Sequence, residues 1–186
     1  MELTAQQVLP VGQAQAWEAL NDIDLLRESI PGCDSFTLTG EHQYEVGVTA
    51  AIGPVKARFK GQLKLEDLQA PVGYTLQFSG QGGPAGHAKG SARIRLEAQS
   101  ARETVLHYSA QASVGGKIAQ LGSRLIDMAA QKMANDFFTR FNEALQQRYG
   151  VAAEPEPSPA AGTPQAATGG LWSRWVAWLR RLFGSR

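Results

Sequence analysis

Ala110-Gln111-Ala112-Ser113-Val114-Gly115-Gly116-Lys117-Ile118-Ala119-Gln120-Leu121-Gly122-Ser123-Arg124-Leu125-Ile126 is the stretch on which the fold turns. Up to Val114 apolar and polar residues alternate, as they do when successive side chains point to opposite faces of a strand. Beyond Gly115-Gly116 the apolar spacing lengthens to that of a helix. Ile118, Leu121, Leu125, Met128, Met133, Phe137, Phe141 and Leu145 outline the apolar side of a helix expected over about residues 117–149. At 1.5 Å per residue it would run about 50 Å. No proline interrupts it, and Gly150 suits its C-terminus.

Upstream, period two persists. Val55, Ala57, Phe59, Gly61, Leu63 and Leu65 alternate with Lys56, Arg58, Lys60, Gln62, Lys64 and Glu66. Tyr74, Leu76 and Phe78 follow the same rule, as do Ala88, Gly90, Ala92, Ile94 and Leu96, then Leu106, Tyr108, Ala110, Ala112 and Val114. Short turn signals separate the runs: Gly40-Glu41, Gly53-Pro54, Pro71-Val72-Gly73, Gly82-Gly83-Pro84 and Ser100-Ala101-Arg102. Consecutive strands joined this way predict an antiparallel meander, each strand with one wet and one apolar face. Before it, Glu2 to Val8 reads as a strand, and Gln13–Leu20 and Asp22–Glu28 as two short helices. The body is therefore expected to be α+β: a curved antiparallel sheet, interrupted early by two small helices and held by one long terminal helix.

Many inward strand positions carry almost no side chain: Ala57, Gly61, Ala88, Gly90, Ala92, Ala110 and Ala112. A helix laid across such a sheet leaves a cavity, or the small residues let helix and sheet approach closely. For a cavity, the expected wall residues are Phe59, Leu63, Leu76, Phe78, Ile94, Leu121, Leu125 and Met128, with Tyr74 and Tyr108 able to offer hydroxyls. For each of them the alternative is plain core packing. The turns at Pro31-Gly32 and Gly82-Gly83 are candidate gates, because glycine lowers the cost of moving backbone.

Charge is distributed unevenly over the 186 residues. The first 150 hold 14 Lys and Arg against 15 Asp and Glu, whereas residues 171–186 hold Arg174, Arg180, Arg181 and Arg186 and no acid. Between them, residues 151–170 include Pro155, Pro157, Pro159 and Pro164 with no aromatic, Leu or Ile, the composition of a disordered linker. Such a linker spans about 25 Å on average. In a terminal helix, Leu171, Trp172, Trp175, Val176, Trp178, Leu179, Leu182 and Phe183 would share one arc of about 160°. Arg174, Arg180 and Arg181 would face the other way. Such a helix is suited to lie in a membrane interface, aromatic rings among acyl chains and guanidinium groups at phosphates, and is too short to cross. Docking on the body or on a partner protein are the alternatives. The expected organisation is thus 1–150 body, 151–170 linker and 171–186 membrane-binding helix.

Other chemistry is thin. The amino-terminal residues lack a basic region followed by an apolar one, so no signal peptide is expected. The single cysteine, Cys33, excludes a disulfide framework and reads as a small packed residue. Together these favour a cytoplasmic location, peripheral on the inner face of the membrane. Gly80–Gly86 has the wrong spacing for a dinucleotide loop, and Gly115-Gly116-Lys117 lacks the remainder of a phosphate loop. His42, His87 and His107 are scattered, so no metal site is expected. Interspersed acids argue against nucleic-acid binding.

The order of elements resembles the helix-grip fold of the START and Bet v 1-like (SRPBCC) superfamily. More narrowly, the chain is similar to the G-subunit family of carbon monoxide dehydrogenase. The residues that carry the likeness are Ile30-Pro31-Gly32-Cys33, Gly53–Gly61, Ala85–Ala92, Val114–Ile126 and Phe137-Phe138. The resemblance implies an accessory protein, not an enzyme, that recruits a molybdenum-containing carbon monoxide dehydrogenase or related hydroxylase to the cytoplasmic membrane. It further implies a quinone ligand, menaquinone or ubiquinone, bound in the grip. An adaptor with a filled core and a cyclase- or hydrolase-type enzyme of the same superfamily are the competing expectations.

Overall fold

A computed structural model of the chain describes residues 1–150. The expected linker and membrane-binding helix, with Leu171, Trp172, Arg174, Trp175, Trp178, Leu179, Arg180, Arg181, Leu182 and Phe183, lie outside the described residues. The elements are β1 (Glu2–Leu9), α1 (Gln13–Ala19), α2 (Ile23–Ser29), β2 (Cys33–Gly40), β3 (Gln43–Ile52), β4 (Val55–Gln69) and β5 (Gly73–Gln81). A short 3-10 turn at Gly83–Ala85 leads to β6 (His87–Ser100) and β7 (Glu103–Gly115). A second 3-10 turn, Lys117–Leu121, precedes α3 (Ser123–Tyr149). All seven strands form one antiparallel sheet in the order β1-β7-β6-β5-β4-β3-β2. The meander and the two early helices match the expectation.

The long terminal helix is also present and ends as expected, but it begins later. Lys117–Leu121 is 3-10 and the chain breaks at Gly122, whose φ of +86° is a backbone state that other residues rarely adopt. The α-helix is therefore 27 residues, about 40 Å. Restarting it after Gly122 also resets its phase. Leu125 and Met128, expected inward, are 40% and 56% exposed. Leu121 belongs to the 3-10 turn. The face that meets the sheet is instead Ile126, Ala130, Met133, Phe137, Phe141 and Leu145, an unbroken series of three- and four-residue steps.

Packing is concentrated at one end. Leu9, Leu96, Leu106, Phe141 and Leu145 are almost completely buried and meet Ala16, Ala19 and Leu20 of the first helix and the turn after it. Phe137 stacks on Phe141 with ring centroids 5.3 Å apart, and Tyr108 on Phe138 at 5.4 Å. Burying one such large side chain contributes about 1.5–3 kcal/mol. The two buried polar residues are paired: the Thr104 hydroxyl donates to the Val11 carbonyl at 2.8 Å, and Ser29 to the Leu25 carbonyl at 2.7 Å. Asp22 caps α2 by accepting from the Leu25 N–H at 3.0 Å, and its other oxygen takes Arg148 from the last turn of α3. This clamp fixes the C-terminal half of α3 against the two small helices.

Candidate functional site: a two-chamber apolar cavity

The other half of α3 stands away from the sheet. In the row Val46, Gly61, Gly80, Ala88 and Val114, three successive strands contribute Gly or Ala. Ala129 and Ala130 look down from α3 onto the same space. Small residues thus face small residues across a gap. The outer chamber holds about 380 Å³. Phe59, Leu63, Leu76 and Phe78 line it, together with Val46, Val48, Ala50 and Ile52 of β3. Ile118, Ile126 and Met133 complete the side contributed by the terminal segment. Ser79 also borders the chamber, but it alternates with Phe78 and, opposite Gln62, belongs to the outward face of the sheet.

An inner chamber of about 260 Å³ lies beside it toward the packed end; Ile30, Leu63 and Leu76 border both. Tyr74, Ile94 and Tyr108 lie directly opposite one another on β5, β6 and β7, and all three line it. Phe36 and Tyr44, from β2 and β3, close the opposite side, and Phe137 and Phe138 the helix side. Both chambers fall in or near the size range of small-molecule sites.

The inner chamber's polar groups are three phenols. Tyr74 is 8% exposed, and its ring meets Trp17 edge-on at 5.8 Å. Burial pushes its pKa strongly upward, and Tyr44 nearby pushes it the same way. Burial also raises Tyr108. Neither Tyr44, Tyr74 nor Tyr108 makes a side-chain hydrogen bond to another described residue. Among the described residues, no Asp, Glu, His, Lys, Arg or Cys lines either chamber.

Several expected residues lie elsewhere. Leu121, Leu125 and Met128 do not line the cavity, because the break at Gly122 turns their faces away. Leu125 sits beside the β3–β4 turn, where a Cβ on Gly53 would meet its Cδ1 at 3.9 Å. The candidate gate residues Pro31, Gly32, Gly82 and Gly83 border neither chamber. Gly32 accepts from the Thr49 N–H at 2.9 Å, and Gly82 donates to Gly86 at 2.8 Å, so both turns are tied to their neighbours. Gly82 nevertheless touches the site indirectly, since a Cβ there would strike the Phe59 ring. The residues missed from the sequence are mainly those of β3. Tyr44, Val46, Val48, Ala50 and Ile52 alternate plainly, and that period was the available signal.

Beyond the cavity, the Cys33 thiol is half-buried, donates to the Ser35 carbonyl at 3.4 Å and is raised by burial. His107 pairs with Glu97 at 3.4 Å on the surface. Among the described residues no cluster of three or more His, Cys, Asp or Glu could hold a metal ion. Also among them, no helix is long and apolar enough to cross a membrane.

Comparison with solved structures places the fold. A conserved protein from Geobacillus kaustophilus is 28% identical, with a TM-score of 0.75, covering 79% of this chain and 96% of its own. A START superfamily protein from Mycobacterium smegmatis superposes with a TM-score of 0.63 at 9% identity, over 79% of this chain and 98% of its own. The Zhui aromatase/cyclase from Streptomyces sp. R1128 gives 0.61 at 11% identity, over 82% and 98%. At such low identities these last two show the fold alone: the helix-grip architecture of START and Bet v 1-like proteins. No curated protein matches. The family comparison is more specific, matching residues 8–146 to CoxG, the G subunit of carbon monoxide dehydrogenase. With that match running from the end of β1 almost to the end of α3, the chain belongs to the CoxG family of carbon monoxide dehydrogenase subunits.

Proposed function

We propose that this protein is a membrane-tethered accessory subunit that carries a quinone in its two-chamber cavity and recruits a molybdenum-containing carbon monoxide dehydrogenase, or a related hydroxylase, to the cytoplasmic membrane. The enzyme partner follows from the family to which the chain belongs. The quinone is supported by one observation above all: two adjacent chambers, about 380 and 260 Å³, with apolar walls and phenols as the polar side chains of the inner one. A quinone matches that chemistry, being a flat ring with carbonyl oxygens on a long apolar chain. Membrane attachment rests on the Trp- and Arg-rich sequence of residues 171–186.

Protein purified from its native host without detergent and extracted into organic solvent should release an isoprenoid quinone, detected by mass spectrometry. Extracts empty of quinone from protein that also takes none up from vesicles would defeat the carrier reading. Recruitment is tested by flotation: the dehydrogenase should rise with vesicles only when the full chain is present, and not with a chain ending at Gly150. A second reading is an enzyme of the cyclase type, favoured by the likeness in fold to an aromatase/cyclase. It needs proton transfer at the cavity wall, where the titratable groups are tyrosines with raised pKa values at Tyr74 and Tyr108.

A further inference from the structure

The two chambers are chemically unequal. Along the outer wall stand aliphatic and aromatic side chains, whereas Tyr44, Tyr74 and Tyr108 surround the inner one. Tyr74 is more than nine-tenths buried, lines the inner chamber and makes no side-chain hydrogen bond to a described residue. Its hydroxyl oxygen nevertheless keeps accessible surface, so it is open to a polar atom of a ligand in the chamber. Its placement is rigid: Tyr74 pairs with Ile94 across the ladder and rests against Trp17. Tyr44 is braced in turn by Phe36, ring centroids 5.5 Å apart.

We infer that Tyr44 and Tyr74 are the specificity-determining residues of the cavity: their hydroxyls donate to a neutral carbonyl oxygen at the inner end of the ligand, whose apolar chain runs outward past Leu76 and Phe59. This orientation rests on the carrier reading and deepens it. A phenol O–H donates to a carbonyl oxygen without any change of charge. A carboxylate or phosphate head in the same place would be a buried anion with no cationic side chain of the described residues along either chamber to offset it. The cavity therefore selects a neutral, carbonyl-headed lipid over a fatty acid of equal length. The ligand enters head first, and its chain fills the outer chamber.

The test uses the full chain stripped of lipid, with a decyl-substituted benzoquinone, palmitate and decylbenzene as probes. Wild type should bind the quinone more tightly than palmitate. Tyr44→Phe and Tyr74→Phe should each weaken quinone binding by about three- to tenfold, the size of one lost hydrogen bond, and leave decylbenzene unchanged. In infrared difference spectra, the carbonyl stretch of bound quinone should lie below its value in hexane and move back toward it in each variant. That band is read on wild type as well, so the orientation is tested even where a variant fails to fold. Unchanged quinone affinity and an unshifted band would overturn the orientation while leaving the carrier intact. Palmitate binding as tightly as quinone would overturn the head-group selectivity. No uptake of quinone by the wild type would overturn both this inference and the carrier reading.

Discussion

The two ends of the grip are built from the same sheet and the same helix, yet one is packed and the other hollow. At the packed end α3 presents Phe138, Phe141 and Leu145, each at most 8% exposed, to Leu9, Leu96 and Leu106. At the hollow end it presents Ala129 and Ala130 to a sheet surface of Gly61, Ala88 and Ala112. A straight helix cannot follow a curved sheet that has lost its side chains, so the gap persists where packing has no atoms to close it. The clamp between Asp22 and Arg148 and the aromatic stack hold one end. The 3-10 turn anchored by the 2%-exposed Ile118 supports the other. Stability is thus concentrated at one end, leaving the other available for a ligand.

The largest test of that division is Phe141→Ala, which opens a void in the packed end and should cost about 3–5 kcal/mol in chemical denaturation. The same kind of change reversed at the hollow end should do the opposite. Ala130→Leu adds atoms to existing space and should raise stability by about 0.5–2 kcal/mol while lowering quinone capacity, measured by denaturation and by extraction. A loss of several kcal/mol there would mean that the hollow end is already filled.

Asp22→Ala removes the cap of α2 and should cost about 1 kcal/mol. Its pH dependence has a definite sign. The Leu25 N–H, and after it Arg148, hold the Asp22 carboxyl below its ordinary value. Its contribution is therefore complete above the unfolded pKa of about 3.9 and is lost as pH falls through the lower folded value. Wild type and variant should accordingly converge in strong acid, as read from melting temperatures across pH. The smallest effect is expected for Met128→Ser, which alters an exposed side chain and should change stability by less than about 0.5 kcal/mol.

The sheet and its cavity wall were largely legible in the sequence. Alternation along β4 to β7 placed Phe59, Leu63, Tyr74, Leu76, Phe78, Ile94 and Tyr108 on the inner face, and all seven line a chamber. Strands announce their faces because period two leaves no phase to choose. The helix was harder, because one glycine in the left-handed region resets the phase of everything after it. Joining Ile118, Leu121, Leu125 and Met128 to Met133 required a five-residue step, which a single helical face does not allow. Restarting the count at Ser123 recovers Ile126, Ala130 and Met133. That the facing alanines leave a gap, when they could equally have allowed close approach, depends on sheet curvature, which residue spacing does not record.

Trp17 is the one tryptophan among residues 1–150, and its edge rests on Tyr74 at the inner chamber. Excited indole gives up energy or an electron readily to a nearby quinone. On the carrier reading, the domain holds its own optical gauge: the indole emission of a chain ending at Gly150 should dim when a quinone is added and recover when it is removed. Exchange of cargo would then be visible in real time without a label.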